Sequence, residues 1–330
     1  MRDRVSKPAR GGSSRLGVID VARGIAVAAM IVFHSAWDLS ELRLIETDIR
    51  GIPAWSAFAH IIAGSFLMLT GAGLFLAHGG GLRARAFLRR LVVIGAAALA
   101  VTIGSYIVFP GFYIFFGILH CIALSSVLAL PFLRAPVPVV AAAAAICIAA
   151  PYWVSAPVLD WDMLTFLGLG TRVPNTNDFV PVFPWFGLVL VGVAGMRLGR
   201  GLLARLPERT GAYPAPLRAL AWAGRHSLLI YLLHQPVIFG AMTAWAEVVG
   251  RDPQTEAAPF LNRCETSCRE GATEAAACRA ACTCAIDAFK GAGLWQAILR
   301  DRLSVEQRSR IPPLAQACFE RVRPSAPDPD

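Results

Sequence analysis

The stretch from Arg15 to Asp38, RLGVIDVARGIAVAAMIVFHSAWD, is the most informative segment of this chain. Its apolar run is as long as the roughly 20 residues that cross the hydrocarbon core of a bilayer, so it predicts a membrane-spanning helix. Asp20 and Arg23 lie near its start and His34 lies near its end. The apolar core of a cleaved signal peptide is shorter and lacks such charges, so we expect this first span to be retained.

Helical geometry places the polar residues of the first span on one side. Arg23 and His34 are eleven residues apart, so they lie on one stripe, about 16 Å apart along the axis. Asp20 precedes Arg23 by three residues, a spacing that allows an ion pair. Ionisable residues within a span are commonly functional, which makes all three candidate catalytic residues. The structural alternative is an anchoring pair at the membrane edge and a histidine packed against a neighbouring helix.

The composition of the whole chain is that of a membrane protein. Only 16% of its 330 residues are charged and 56% are hydrophobic, whereas soluble domains contain about 25% charged residues. The net charge of +9 is concentrated in residues 1–15, 83–90 and 197–225, and each basic block adjoins an apolar run. The positive-inside rule predicts that these blocks are cytoplasmic. The sequence has no glycine-rich phosphate loop or zinc-finger spacing, and nucleic-acid binding is not indicated.

Apolar segments predict about seven transmembrane helices. They cover residues 16–36, 55–77, 91–109, 112–131, 137–155, 182–199 and 226–248. Seven spans that begin inside place the C-terminus outside, in agreement with the three basic blocks. We therefore predict an all-α, multi-pass helix bundle in the cell (inner) membrane. Its parts are a basic cytoplasmic N-terminus (1–14), a transmembrane domain (15–250) and a cysteine-rich, helical extracytoplasmic tail (251–330).

Polar and aromatic side chains also lie within the later spans, where lipid would exclude the polar ones. The candidates for a substrate channel are His60, His120, Trp185, Tyr231 and His234. Tyr231 and His234 share one helical stripe with Ser227. Structural roles are the alternatives. His60 can extend to the outer membrane interface, which is a more frequent role for such a histidine than catalysis. His120 and His234 can be interhelical hydrogen-bond partners, worth about 1 kcal/mol each.

A histidine toward one membrane face and a cation toward the other suit a group transfer across the membrane. Imidazole can take a proton from a hydroxyl or an amine, and it can itself carry an acyl group. Arg23 can bind a phosphate or orient Asp20. A proton-coupled transporter, in which intramembrane histidines act as relays, is the alternative function. A membrane anchor for the cysteine-rich tail, without enzymatic activity, is the third.

Several motifs resemble known acyltransferases. Asp20-Val-Ala-Arg23-Gly24, followed by His34, resembles the opening of the transmembrane acyltransferase superfamily. Four further segments resemble the heparan-alpha-glucosaminide N-acetyltransferase-like catalytic domain and its bacterial relatives. They are SFLMLTG (65–71), FGILH (116–120), FPWFG (183–187) and RHSLLIYLLHQP (225–236). The similarity covers about residues 15–245.

The resemblance implies an enzyme that moves an acetyl or related short acyl group from acyl-CoA to a sugar on the extracytoplasmic side. It implies that His34 is the base or the acyl acceptor, supported by Asp20 and Arg23. In the lysosomal enzyme of this family, the catalytic histidine lies in the loop after the first span. Here that loop contains no further histidine before His60, which is the reserve candidate.

The resemblance also implies acetyl-CoA as the donor, without a metal, a sugar hydroxyl or amine of a glycan as the acceptor, and membrane lipid as the surroundings. CoA is strongly anionic, so its site is expected where the basic blocks meet the spans. The predicted cofactor-binding residues are Arg89, Arg90 and His226.

The tail contains six of the eight cysteines, Cys264, Cys268, Cys278, Cys282, Cys284 and Cys318. The first four form two pairs with a spacing of four residues, so each pair presents two sulfur atoms on one helical face. This pattern is typical of a helical hairpin with two disulfides, which leaves Cys284 and Cys318 for a third. Six cysteines allow fifteen pairings, so the connectivity stays open. A zinc site is the alternative, although structural zinc sites have tighter cysteine spacings.

Overall fold

The computed structural model describes residues 17–45, 47, 49–203, 213–249, 253–270, 274–299 and 303–322. These residues are mostly helical and contain no β-strand, which confirms the prediction of an all-α fold. The predicted cytoplasmic N-terminus (1–14) and part of the third basic block (204–212) lie outside the described residues.

Seven apolar helices correspond to the predicted spans, and five of them are long enough to cross a membrane. The five are α1 (Gly17–Glu41), α2 (Pro53–His78), α3 (Ala84–Val108), α6 (Val182–Leu203) and α8 (Ser227–Val249). The other two, α4 (Ile118–Leu128) and α5 (Val137–Trp153), are shorter. A further helix, α7 (Ala215–Arg225), lies within the basic segment between α6 and α8.

The fourth apolar helix is shorter than the predicted span 112–131 because its first residues fold against the end of α3. The side chain of Ser105 accepts a hydrogen bond from the backbone N–H of Ile114 at 2.9 Å. Thr102 donates its hydroxyl hydrogen to the carbonyl oxygen of Ile114 at 2.7 Å. An apolar segment does not need to be helical when neighbouring protein groups satisfy its backbone, so hydropathy overestimates this span.

Helix α6 packs against both α2 and α5 and carries much of the core. Val189, Leu190 and Val193 are fully buried on α6. Glycines allow the backbones of α2 and α6 to approach closely: a methyl group on Gly71 would collide with the carbonyl oxygen of Val189, and one on Gly192 with that of Met68. Small residues at such crossings permit the van der Waals contact that holds membrane helices together.

Two further glycines form the contact between α1 and α7. A methyl group on Gly24 would collide with the carbonyl oxygen of Leu220, and one on Gly224 would collide with that of Asp20. The backbone of α7 therefore lies directly against the start of α1, beside Asp20. This contact brings the last residue of α7, Arg225, close to the polar end of the first span.

The chain divides into two compact units. The first contains the residues up to His34 and Pro53–Val237, and the second contains Ser35–Ile52 and the residues from Ile238 onward. The boundary falls within α1 and within α8, so each of these helices contributes its last turns to the second unit. All the candidate site residues belong to the first unit.

The second unit contains a helical hairpin held by nested disulfides. Its helices are α9 (Pro253–Glu270), α10 (Ala275–Gly291), α11 (Trp295–Leu299), α12 (Val305–Ser309) and α13 (Ile311–Val322). Disulfides Cys264–Cys282 and Cys268–Cys278 join α9 to α10, and Cys284–Cys318 joins α10 to α13. Because α9 and α10 run antiparallel, the outer and inner cysteines pair in nested order. The predicted disulfides are confirmed, and none of the six sulfur atoms remains for the alternative zinc site.

Candidate active site

A cavity of about 1010 Å³ lies in the first unit, bordered by residues of α1, α2, α3, α4, α7 and α8. Six arginines line it: Arg23, Arg83, Arg85, Arg89, Arg90 and Arg225. None of its described lining residues is acidic. Apolar side chains such as Phe66, Ile94 and Ile122 form the rest of the wall. The cavity is therefore a partly apolar site with a strong positive charge.

Four of these arginines come from the start of α3 and the residue before it. The sequence RARAFLRR places Arg85 and Arg89 one turn apart, so they lie on one helical face. Phe87, between them in sequence, is buried against the core. Cations at a helix N-terminus are unfavourable because the macrodipole is positive there. Arg83 and Arg85, at the first turn, thus do not stabilise α3, and a bound anion would relieve the positive charge there.

Two guanidinium groups converge at Gly73 of α2. A methyl group at this position would lie 3.3 Å from Nη2 of Arg23 and 3.9 Å from Nη1 of Arg90. On its other side, Arg23 forms an ion pair with Asp20, with Nη1 and Oδ1 3.7 Å apart. The lack of a side chain at Gly73 leaves room for both arginines. Arg23 is thus paired with the Asp20 carboxylate on one side and lies close to Arg90 on the other.

Tyr231 connects the cavity to a pair of histidines. It lines the cavity, and its ring centroid is 5.9 Å from that of His234. The ring of His234 is in turn 5.0 Å from the ring of His34. Neither histidine lines the cavity itself. The structure therefore brings His34, His234 and Tyr231 together, with Arg23 and Arg90 in the same cavity as Tyr231.

His120 lies in a different environment, where both ring nitrogens are occupied. The backbone N–H of Gly117 donates to Nδ1 at 3.3 Å, so the hydrogen of the neutral ring is on Nε2. Nε2 then donates to the hydroxyl oxygen of Thr102 at 3.3 Å. These bonds join the start of α4 to α3, and His120 does not line the cavity. The arrangement favours the structural interpretation of His120 over a place in a substrate channel.

His60 and His226 also lie apart from the cavity lining. His60 is exposed and stacks on Trp185, with ring centroids 5.6 Å apart and planes 13° from parallel. His226 is exposed, donates from Nδ1 to the carbonyl oxygen of Trp222 at 2.9 Å and thereby closes the end of α7. Its neighbour Arg225 lines the cavity instead. The sequence predicted His226 as a cofactor-binding residue, whereas the residue of this turn that lines the cavity is Arg225.

Sequence reasoning missed Asp178, which lies outside the helices and binds the start of α4. Its Oδ2 accepts a hydrogen bond from the backbone N–H of Ile118 at 3.0 Å. Burial raises the pKa of Asp178 to about 6, although this hydrogen bond acts in the opposite direction. A side chain at Gly117 would collide with this carboxyl group. Nothing in the local sequence links Asp178 to a helix sixty residues earlier, so no pattern could reveal the contact.

Comparison with known proteins supports the resemblance seen in the motifs. A family model described as heparan-alpha-glucosaminide N-acetyltransferase, catalytic, matches residues 15–236. No curated protein and no solved structure gave a match. The matched region spans more than half of the chain and includes the arginine cavity, Tyr231 and both histidines of the pair. The chain therefore belongs to the heparan-alpha-glucosaminide N-acetyltransferase catalytic-domain family.

Proposed function

We propose that this membrane acetyltransferase takes an acetyl group from acetyl-CoA and delivers it to a sugar hydroxyl or amine across the membrane. The observation that carries the proposal is the arginine-lined cavity whose lining includes Tyr231, because the ring of Tyr231 lies near that of His234, which in turn lies near that of His34. A cavity of about 1010 Å³ is at the upper end of the range typical of small-molecule sites, about 300–1,000 Å³, and CoA is a large ligand.

Charge and chemistry match the two ends of the donor to two parts of the site. CoA carries phosphate groups at its nucleotide end, and guanidinium groups bind phosphate oxygens through paired hydrogen bonds. Arg85, Arg89 and Arg90 are the proposed phosphate contacts. The thioester lies at the opposite end of the same molecule and would extend toward Tyr231. The apolar walls formed by Ile94 and Ile122 suit the arm of CoA that connects its nucleotide end to the thioester.

His34 is proposed to carry the chemistry in one of two ways. As a base, it takes the proton of the acceptor hydroxyl or amine while the acceptor attacks the acetyl carbon and the C–S bond breaks. As a nucleophile, it first accepts the acetyl group from the thioester and then transfers it to the acceptor. In both routes CoA leaves as a thiolate and recovers a proton, and Asp20 and Arg23 support the donor end.

The basic blocks indicate the orientation of the protein. Arg83, Arg85 and Arg89 belong to the block that the positive-inside rule assigns to the cytoplasm. The cavity would then receive cytoplasmic acetyl-CoA, and the acceptor would approach His34 from the extracytoplasmic side. This arrangement also argues against the transporter alternative. A relay needs a continuous row of titratable groups, whereas His60 and His120 are held by other contacts.

The proposal can be tested with purified protein reconstituted in sealed vesicles of known orientation. Radiolabelled acetyl-CoA added outside should be consumed by inside-out vesicles and not by right-side-out vesicles, with D-glucosamine as the acceptor probe on the opposite side. Arg90→Gln should weaken acetyl-CoA binding by about tenfold, the loss of one charge-assisted contact. Arg218→Gln on α7, which removes an exposed arginine that does not line the cavity, is the matched control. Equal use of acetyl-CoA in both orientations would reject the cytoplasmic donor site, and equal binding by both variants would reject the arginine cavity as the donor site.

A further inference from the structure

His234 has a defined tautomer and an unused acceptor. Its Nδ1 lies 2.8 Å from the carbonyl oxygen of Tyr231. A carbonyl oxygen can only accept, so Nδ1 carries the hydrogen and Nε2 presents a lone pair. Nε2 is buried and has no hydrogen-bond partner among the described residues. A buried acceptor without a partner is unfavourable, which raises the question of what it binds during turnover.

The ring next to this acceptor is that of His34. The two ring centroids are 5.0 Å apart and the planes are inclined by 58°. His34 is half-buried, whereas the whole of His234 is only 8% exposed. Among the described residues, no hydrogen bond engages the ring nitrogens of His34. Ring centroids 5.0 Å apart are close enough for a hydrogen bond between a ring nitrogen of His34 and Nε2 of His234 once the rings are suitably oriented. Catalytic hydrogen bonds often shorten only when substrate is bound.

We propose that His234 is a positioning residue for His34. Its Nε2 accepts a hydrogen bond from one ring nitrogen of His34, which fixes the His34 tautomer and leaves the other ring nitrogen with a free lone pair. The tautomer of a histidine is set by the hydrogen bond that its second nitrogen makes. This inference rests on the proposed function for the reaction it serves, but the contact itself does not depend on it.

The proposed contact gives each proton a place during transfer. The free nitrogen of His34 takes the proton of the acceptor as the acceptor oxygen or nitrogen bonds to the acetyl carbon. The C–S bond breaks, and its electron pair leaves with CoA as a thiolate. His34 is then doubly protonated, and its bond to His234 becomes a stronger, charge-assisted one. Return of the proton to the thiolate yields CoA as a thiol and restores His34.

The backbone explains why His234 can hold this position. Tyr231 and His234 are three residues apart on α8, so the ring turns back to the carbonyl oxygen of the preceding turn. The fixed Nδ1–H bond restricts the ring, much as the outer-shell carbonyl restricts a histidine in a metal site. The same helix presents Tyr231 to the cavity. A donor molecule that contacts Tyr231 would therefore lie close to the histidine pair.

The test combines nitrogen NMR with kinetics on full-length protein in nanodiscs, labelled with ¹⁵N-histidine. The chain has six histidines, and the His34 signals are identified by their loss in His34→Gln. In the wild type, His34 should be a single neutral tautomer. His234→Gln should keep that tautomer, because an amide oxygen can also accept, and His234→Leu should give a mixture. Leu233→Ala, which alters an exposed neighbour on α8, is the matched control and should leave the His34 signals unchanged.

Kinetics with acetyl-CoA and D-glucosamine as the acceptor probe provide the second measurement. For His234→Leu, kcat should fall about 10- to 100-fold, as for loss of an outer-shell partner that orients a metal-bound histidine, whereas KM for acetyl-CoA should not change. His234→Gln should recover much of the loss. A mixed tautomer in the wild type, or a single tautomer in His234→Leu, would overturn the proposal. If the tautomer depends on His234 but the wild type transfers no acetyl group, the positioning contact is supported and the proposed function is rejected.

Discussion

Among single residues, Arg23 lies between Asp20 and Arg90 in the proposed donor site. It pairs with Asp20 and approaches Arg90 at Gly73. We expect Arg23→Lys to raise KM for acetyl-CoA by about tenfold, because a single ammonium group cannot bind a carboxylate and a phosphate in the paired geometry of a guanidinium. Steady-state kinetics measure the effect, with Arg218→Lys as the control for a change of cation type. Unchanged KM in Arg23→Lys would show that only charge is needed there.

His34 is the residue on which the proposed chemistry depends. His34→Ala should abolish acetyl transfer without preventing membrane insertion, because the helix loses an imidazole and keeps its apolar surface. Val32→Ala is the matched control on the same helix, since Val32 is 56% exposed. Transfer and the amount of membrane-inserted protein are measured together. Near-normal transfer by His34→Ala would make the catalytic assignment wrong, and His60 would be tested next.

Asp178 should make stability depend on pH. Burial raises its pKa to about 6 in the folded protein, above the ordinary value of about 3.9 for an unfolded chain. Between these values the folded state holds more protons at this site, so the contribution of Asp178 to stability is greatest below about pH 4 and falls as pH rises from about 4 to 6. Asp178→Asn should reduce this dependence and keep the acceptor for the N–H of Ile118. Thermal unfolding across this pH range measures both, and an unchanged profile in the variant would contradict the assignment.

At the element scale, the crossing of α1 and α7 depends on two glycines. Gly224→Ala should destabilise the first unit by about 1–3 kcal/mol, because the added methyl group meets the backbone at Asp20 and the helices must separate. Gly95→Ala is the matched control, because the equivalent space on α3 is open and alanine favours a helix over glycine by about 0.5–1 kcal/mol. Thermal unfolding in nanodiscs should show a lowered midpoint for Gly224→Ala and not for Gly95→Ala. A lowered acetyl-CoA affinity is expected with it, because α7 carries Arg225.

The helices that the sequence predicts least well are those whose length or position depends on contacts with other segments. Helix α7 lies in the basic block 197–225, which hydropathy does not predict as a span, although Ala, Leu and Arg in its sequence are good helix formers. Its place in the site comes from the fit of Gly224 against α1, which is a contact between distant segments. Similarly, α4 is short because Thr102 and Ser105 bind the backbone of Ile114. Hydropathy measures how apolar a segment is and contains no information about such contacts.

At the scale of the whole molecule, the disulfides offer a test of orientation. If residues 251–330 are extracytoplasmic, their six cysteines stay oxidised, and each bridge should stabilise the tail by roughly 2–4 kcal/mol. An impermeant thiol reagent should label intact cells, with outer-membrane access, only after mild reduction. A variant with Cys121 and Cys147 replaced by alanine restricts the signal to the tail. Labelling without reduction would contradict the disulfides, and protection until lysis would place the tail inside.

Local sequence patterns are sufficient to predict the all-α membrane fold, the family, and the candidate residues Arg23, Arg89 and Arg90, which line one cavity in the structure. Membrane spans depend on local apolar length, and the family resemblance depends on motifs, so both can be read from short segments. Arg23 and Asp20 could also be paired by helical spacing alone, and Arg89 and Arg90 could be recognised as a basic block beside a span. Cysteine spacing likewise predicted a disulfide-bonded helical hairpin, whereas its nested pairing is visible only in the structure.

Which of these residues lie near one another depends on contacts between distant segments, and these are visible only in the folded chain. Six arginines from three separate regions of the sequence line the same cavity, and His34 meets His234 two hundred residues later. The structure also distinguishes His34 from His120, although both are histidines within apolar segments. Both ring nitrogens of His120 are engaged in hydrogen bonds, with Thr102 and Gly117. The physical reason is that a span hydrophobic on most sides gives no preferred rotation from its sequence. Its rotation is set by backbone contacts at glycines and by hydrogen bonds to distant segments.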